Sequence, residues 1–255
     1  MTDLVARLRA AGCVFAEREA ELLAGAATSP EALDVLASRR VAGEPLEHVL
    51  GWASFCGLRI AVEPGVFVPR HRTELLVRAV AAAARFLRGR PVVLDLCCGS
   101  GAIGAAVATL LPVVELHASD VEPAAVRCAR RNLARAGGHV YEGDLFAPLP
   151  RSLRGRVNVL VANVPYVPTS AIPLMPPEAR DHEPRRALDG GPDGLAVLRR
   201  VAAEAPRWLA PGGVLLSETS DAQAPSAAAA LSTAGLTPEV RRTEETTAVL
   251  GRRAG

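Results

Sequence analysis

From Leu4 to about Arg40, apolar positions recur at spacings of three and four, as in Leu4, Leu8 and Ala11 and again in Ala20, Leu22 and Leu23. This is the stripe of an amphipathic helix. Ser29-Pro30-Glu31 offers an N-cap side chain followed by proline at the first helical position, where a missing N–H costs nothing. The stretch reads as a small helical unit. From Glu44 to Pro69, glycine and proline punctuate short apolar segments (Val49 to Gly51, Leu58 to Val62, Val66 to Val68), which predicts a hairpin-like connector. The chain therefore divides into a helical unit over 1–43, a connector over 44–72 and a larger domain over 73–255.

Beyond Thr73 helical and strand patterns alternate. A helix over Glu74 to Leu87 precedes a buried strand Val92 to Leu96, a glycine turn, a helix Ala102 to Leu111 and a strand Val114 to Ala118. A helix near Ala124 to Ala136, a third strand before Asp144, a strand Val157 to Ala162, a helix Gly194 to Leu209 and a strand Val214 to Glu218 follow. Such β-α alternation predicts an α/β fold, a doubly wound sheet with helices on both faces and its site at the carboxyl ends of the strands. Glu239 to Arg242 and Thr246 to Leu250 predict an antiparallel hairpin at the sheet edge.

Composition narrows the function. With 255 residues, 49% hydrophobic and 22% charged, the chain can bury a core without disulfides or metals. Its apolar runs fall far short of the roughly 20 residues that span a membrane. The start MTDLVARLRA lacks a secretory apolar core, so the expected location is the cytoplasm, with no membrane partner. The 29 basic and 27 acidic residues nearly cancel, and aromatics make up 4%, so no stable nucleic-acid partner is expected. All basic residues are arginine, which fits a coding bias better than a recognition device. The five cysteines form no C-x-x-C pair, and no metal site is expected.

Asp95-Leu96-Cys97-Cys98-Gly99-Ser100-Gly101 carries a buried strand through a glycine turn into a helix, bringing unpaired N–H groups and a positive dipole end towards a ligand. Nicotinamide, flavin and S-adenosylmethionine proteins share such turns, and so do purely structural ones. Asp120, closing the second strand in HASD, is placed to accept both hydroxyls of a ribose. Asp144 in GDLF is placed to receive the exocyclic amino group of an adenine, so the three motifs together favour an adenosine ligand. Asp95 orients the turn or the ligand's amino-acid moiety.

The fourth strand ends in Asn163-Val164-Pro165-Tyr166. An amide or aromatic amine is a poor nucleophile because its lone pair is delocalised. Methyl transfer to one needs acceptors that draw the lone pair out of conjugation. The Asn163 side-chain oxygen and the Val164 carbonyl supply two, and Tyr166 covers the planar group. Positioning and fixed dipoles then do the catalysis.

DLCCGSG, HASD, GDLF and NVPY, in that order, resemble a class I S-adenosylmethionine-dependent methyltransferase with an N-P-P-Y type site. The flanking EPLEHVLGWASFCGLRIAVEPGVFVPRHRTELLV and HEPRRALDGGPDGL are similar to the corresponding segments of HemK/PrmC-type protein glutamine methyltransferases, and the likeness runs from about Gly43 to the carboxyl end. The resemblance implies a Rossmann-like sheet and transfer of a methyl group from S-adenosyl-L-methionine to a glutamine side-chain amide, in the best-known case in the Gly-Gly-Gln tip of a peptide-chain release factor. It places Cys97, Cys98, Gly99, Ser100 and Gly101 against the methionine part of the cofactor, Asp120 on the ribose, and Asp144 and Leu145 beside the adenine. Asn163, Val164, Pro165 and Tyr166 hold the amide. Pro69, Arg70, Thr73 and Glu74 match P-R-x-x-T-E as supporting wall, and Glu183 and Pro184 shape the rim.

Three features depart from the family pattern. Cys97 replaces the first glycine, Val164 replaces the first proline, and the helical unit is short. An adenine-N6 methyltransferase acting on nucleic acid, a small-molecule N-methyltransferase and a non-catalytic S-adenosylmethionine-binding protein are the competing readings.

Overall fold

The amino-terminal stripe folds as three helices, α1 (Thr2–Ala10), α2 (Ala16–Ala26) and α3 (Pro30–Val41), in a computed structural model that describes residues 1–85, 87 and 89–255. Ser29 caps α3 by accepting the Ala32 N–H at 3.1 Å, as its pairing with Pro30 predicts. Leu8, Ala16, Ala20, Leu23 and Ala37 form a small core of their own, with a buried Arg40–Glu19 pair at 2.6 Å beside it. A fourth helix, α4 (Leu46–Leu50), packs Val49 into that core. Helical structure thus continues into the segment expected as connector, where burial of Val49 outweighs the local proline and glycine signals.

The connector hairpin, β1 (Trp52–Phe55) and β2 (Leu58–Ala61), is antiparallel. It is a wall of the large domain, since Ala53, Phe55, Ile60, Val62, Val66 and Val68 share one buried cluster with the helices and strands that follow. Asn132 clamps it, pairing with both the N–H and the carbonyl of Ala61 at 2.9 Å and donating to the Ser100 carbonyl at 2.8 Å.

The large domain runs α5 (Glu74–Ala84), β3 (Val92–Leu96), α6 (Ala102–Leu110), β4 (Glu115–Asp120), α7 (Pro123–Leu133), β5 (His139–Glu142), β6 (Val157–Ala162), α8 (Pro177–His182), α9 (Arg185–Leu188), α10 (Ala196–Trp208), β7 (Leu209–Thr219), α11 (Ala224–Thr233), β8 (Thr237–Arg242) and β9 (Thr247–Arg252). Helix α5, expected to reach Leu87, is seen to Ala84, and Phe86 in that stretch lies outside the described residues. The seven-stranded sheet has the order β5-β4-β3-β6-β7-β9-β8. Strands β5 to β7 in that order pair in parallel, and the tail adds the expected antiparallel hairpin at the edge.

Alternate residues of β3 feed different layers. Val93 joins the cluster under α5, α6 and the hairpin, while Val92, Leu94 and Leu96 join the one under α10 and α11. Burial on both faces explains why all of β3 but Asp95 is apolar. Strand order reverses between β3 and β6, and a crevice opens at the carboxyl ends on either side of that switch. Among the described residues no helix is long and apolar enough to cross a membrane.

Candidate active site

A cavity of about 450 Å³ occupies the crevice, within the range of small-molecule and cofactor sites. Its lining includes Cys97, Cys98, Gly99, Ser100, Asp120, Asp144 and Leu145 from the sequence-predicted cofactor set, and Asn163, Val164, Pro165 and Tyr166 from the acceptor set. Two expected residues do not reach it. Asp95 is fully buried behind the turn, where one oxygen accepts the Gly104 N–H at 3.2 Å and fastens α6 to β3. Burial, offset in part by that N–H, raises its carboxyl pKa to about 7. Gly101 backs against α7, where a Cβ would crowd the Ala129 backbone. Both shape the turn from behind the cavity wall.

Asp120 holds the turn from the next strand. Its carboxylate accepts the Gly99 N–H at 2.8 Å and the Glu122 N–H at 2.9 Å, leaving further acceptor capacity on its oxygens. Gly99 has a positive φ of 54° and faces open space. Cys97, at the family's glycine position, also takes a left-handed φ of 55° and packs against the core under α10. Left-handed backbone disfavours a residue with a Cβ by about 1 kcal/mol, and the half-buried thiol offsets part of that. Cys97→Gly is accordingly expected to change stability by less than about 1 kcal/mol in urea denaturation. A loss of more than about 2 kcal/mol would show that the thiol packing dominates.

Across the cavity from the glycine turn, in the loop after β5, Leu145 has a φ of 48°, and its carbonyl accepts the Ser119 hydroxyl at 3.0 Å. Asp144 is exposed and pairs with Arg200 at 2.5 Å.

The acceptor side is built on a buried polar network. Asn163 reaches Thr73, Nδ2 to Oγ1 at 3.5 Å, and its Oδ1 is buried with no hydrogen-bond partner among the described residues. An orphaned buried acceptor invites a donor from a ligand. Tyr166 donates its hydroxyl to Glu218 at 2.8 Å and accepts from Arg72 at 2.9 Å. Burial and the adjacent Glu218 carboxylate push the Tyr166 pKa well up, so it remains a phenol and presents its ring. The Val164 side chain is buried in the core under α10, which leaves its backbone to line the cavity. If only its carbonyl is used, as the resemblance implies, Val164→Pro is expected to keep transfer within about threefold where the ring's fixed φ suits this position. A drop beyond tenfold in a methyl-transfer assay would show that the Val164 N–H or its φ matters.

Local folding explains the flanking segments. Glu74 accepts the Cys56 N–H at 3.1 Å and ties the hairpin turn to α5. Glu183 is buried and accepts from the Val68 N–H at 3.2 Å and from Arg70 at 2.6 Å, so Arg70 and Glu183 bind the connector to the rim before α9. Burial raises the Glu183 carboxyl pKa. The glycines after α9 back the acceptor loop: a Cβ on Gly190 would overlap the Pro165 carbonyl, and one on Gly194 would overlap Gln223 and the Tyr166 carbonyl. Gln223 itself donates to that Tyr166 carbonyl at 2.8 Å. Glu218 and Gln223 bear on the site yet carry no local sequence signal, because only the sheet order brings β7 and the start of α11 beside β6. Among the described residues no group of His, Cys, Asp or Glu is arranged to hold a metal.

The family model for the methyltransferase small domain matches residues 57–174. A release factor glutamine methyltransferase of Geobacter sulfurreducens is 42% identical over 191 residues, covering 74% of this chain and 65% of that protein. The release factor glutamine methyltransferase of Mycolicibacterium smegmatis is 40% identical over 233 residues, covering 85% and 82%. A 4-amino-L-phenylalanine/4-methylamino-L-phenylalanine methyltransferase of Streptomyces pristinaespiralis is 39% identical over 184 residues, covering 71% and 60%. A solved methyltransferase of Pyrococcus furiosus shares the fold at a TM-score of 0.58 with 18% identity, covering 78% of this chain and 90% of that one. The match spans about two thirds of the length of the first two curated relatives, 65% and 66%. With its glycine turn, Asp120, Asp144 and its Asn-Val-Pro-Tyr loop gathered around one crevice, the chain belongs to the release factor glutamine methyltransferase family.

Proposed function

We propose that the protein transfers a methyl group from S-adenosyl-L-methionine to the side-chain amide nitrogen of a glutamine in a protein, with a peptide-chain release factor as the acceptor and the cytoplasm as the place of action. The observation that carries this reading is the buried Oδ1 of Asn163, without a hydrogen-bond partner among the described residues, in the cavity wall beside Pro165 and Tyr166. A planar NH2 group has two hydrogens to give, and Asn163 Oδ1 with the Val164 carbonyl would take one each. Holding both draws the lone pair out of conjugation and aims it at the cofactor side of the crevice.

The residues present suit the cofactor. Gly99 faces open space that a side chain would fill, and Asp120 fixes the Gly99 N–H and keeps acceptor capacity for a ribose. Asp144 and Leu145 line the far side, where an adenine edge would lie. S-adenosyl-L-methionine, when bound, supplies an electrophilic methyl on a sulfonium. The chain supplies position and polarity. Tyr166 stays protonated, and three donors already engage Glu218, so neither group beside Asn163 serves as a strong base. The new positive charge on nitrogen is met by the same fixed carbonyls, and the surplus proton leaves to solvent.

A second reading, a small-molecule arylamine methyltransferase, is favoured by the Streptomyces pristinaespiralis relative, because an exocyclic arylamine presents the same planar NH2. An acceptor panel separates the two. With labelled methyl donor, transfer is expected to intact release factor, while 4-amino-L-phenylalanine and adenine-containing DNA remain unlabelled. Label on the arylamine or the DNA alone would overturn the glutamine assignment in favour of that acceptor.

A further inference from the structure

Glu218, at the carboxyl end of β7, is 2% exposed, and three donors converge on it. Tyr166 Oη and Arg72 Nε donate to Oε1 at 2.8 and 2.9 Å, and Thr73 Oγ1 donates to Oε2 at 2.7 Å. A carboxylate accepts and does not donate, so the Thr73 hydroxyl hydrogen is committed to Glu218. What Thr73 Oγ1 then offers on its other side is a lone pair. Asn163 lies there, and only its NH2 can face a lone pair, which turns Oδ1 the other way. The side-chain amide of an asparagine can flip, and which end meets the acceptor amide decides whether the site withdraws density from the substrate nitrogen or repels its hydrogens.

Resting on the glutamine-amide reading above, we infer that Glu218 is a positioning residue that sets the orientation of the Asn163 amide through Thr73, a relay of fixed polarity running from carboxylate to hydroxyl to amide to substrate NH2. It touches neither substrate nor cofactor in this role. The Thr73–Asn163 contact of 3.5 Å is long, as such contacts commonly are before ligands bind, and it shortens when Oδ1 gains its donor. The other oxygen fixes Tyr166 through its hydroxyl, so one buried carboxylate sets both the acceptor and the ring of the amide pocket.

Reversing the polarity at the head of the relay tests it. Glu218→Gln can present an NH2 to Thr73, freeing the hydroxyl to point at Asn163. Thr73→Val removes the relay while keeping the shape, and Thr73→Ser keeps the hydroxyl. Glu218→Gln and Thr73→Val are each expected to lower kcat about tenfold with acceptor KM and S-adenosylmethionine Kd within twofold. The double variant should be no worse than the poorer single, and Thr73→Ser should stay within about twofold of the parent. A second arm needs no turnover: the Asn163 side-chain NH2 resonances, assigned by their loss in an Asn163→Asp variant, should shift in Glu218→Gln and Thr73→Val and stay put in Thr73→Ser. Unmoved resonances in Glu218→Gln, or multiplicative kcat losses in the double variant, would overturn the relay. If the parent protein transfers no methyl group to a glutamine amide, the functional reading fails while the resonance arm still decides the relay.

Discussion

Asn163→Ala is expected to suppress methyl transfer by 100-fold or more while leaving S-adenosylmethionine affinity within about threefold. The expectation follows from Oδ1, a buried acceptor with no partner among the described residues, set in the cavity wall where the acceptor amide would be held. Removing one preorganised polar group at a reacting centre costs roughly 100- to 1,000-fold in rate. The side chain contributes one weak internal contact, to Thr73 at 3.5 Å, so its loss should leave the fold intact. Single-turnover rates with saturating donor check the first half and calorimetry the second. Full activity in Asn163→Ala on a verified acceptor would contradict the mechanism even with the fold unchanged.

Asp120→Ala should act on the other partner, raising the Kd for S-adenosylmethionine by about 10- to 100-fold, as expected for hydrogen bonds to a charged group. Two effects add. The ribose hydroxyls lose their acceptor, and the Gly99 and Glu122 N–H groups, now held at 2.8 and 2.9 Å, lose theirs. Asp120→Asn keeps one accepting oxygen and should fall between the parent and the alanine variant. Calorimetry with S-adenosylmethionine and its demethylated product measures both, with thermal melts to confirm folding. A Kd within threefold of the parent in Asp120→Ala would remove Asp120 from the ribose site.

Much of the large domain is legible in the sequence because its signals are local. The strands Val92–Leu96 and Val157–Ala162 are predominantly apolar, each with one polar residue, Asp95 or Asn158, and such runs suit parallel strands covered on both faces. The edge hairpin follows from two strand patterns joined across Glu244-Glu245. Helix α4 is different: five residues between a proline and a glycine carry little periodicity, and its helicity rests on docking against the amino-terminal core. Helix α11 is alanine-rich with a weak stripe, so its place against β8 and β9 is decided by tertiary packing.

The site divides in the same way. Residues that sit on strand ends or on the turn after β3 are readable from spacing, since the β-α rhythm fixes which edge of the sheet they share. Asp95 shows the limit of spacing. One residue from the end of β3, its carboxylate accepts the Gly104 N–H at 3.2 Å, a contact that the packing of α6 against the strand creates and spacing does not announce. Glu218 shows the opposite case, a residue remote in sequence that strand order places against Tyr166 and Thr73.

The central claim is that the Asn-Val-Pro-Tyr crevice methylates a carboxamide nitrogen. Incubating the protein with isotope-labelled S-adenosylmethionine and intact release factor, then locating the label by tandem mass spectrometry, tests it most directly. A single added methyl is expected on the side-chain nitrogen of the glutamine in the Gly-Gly-Gln tip, absent when Asn163→Ala replaces the parent protein. Label on any other atom, or label that persists undiminished with Asn163→Ala, would contradict it.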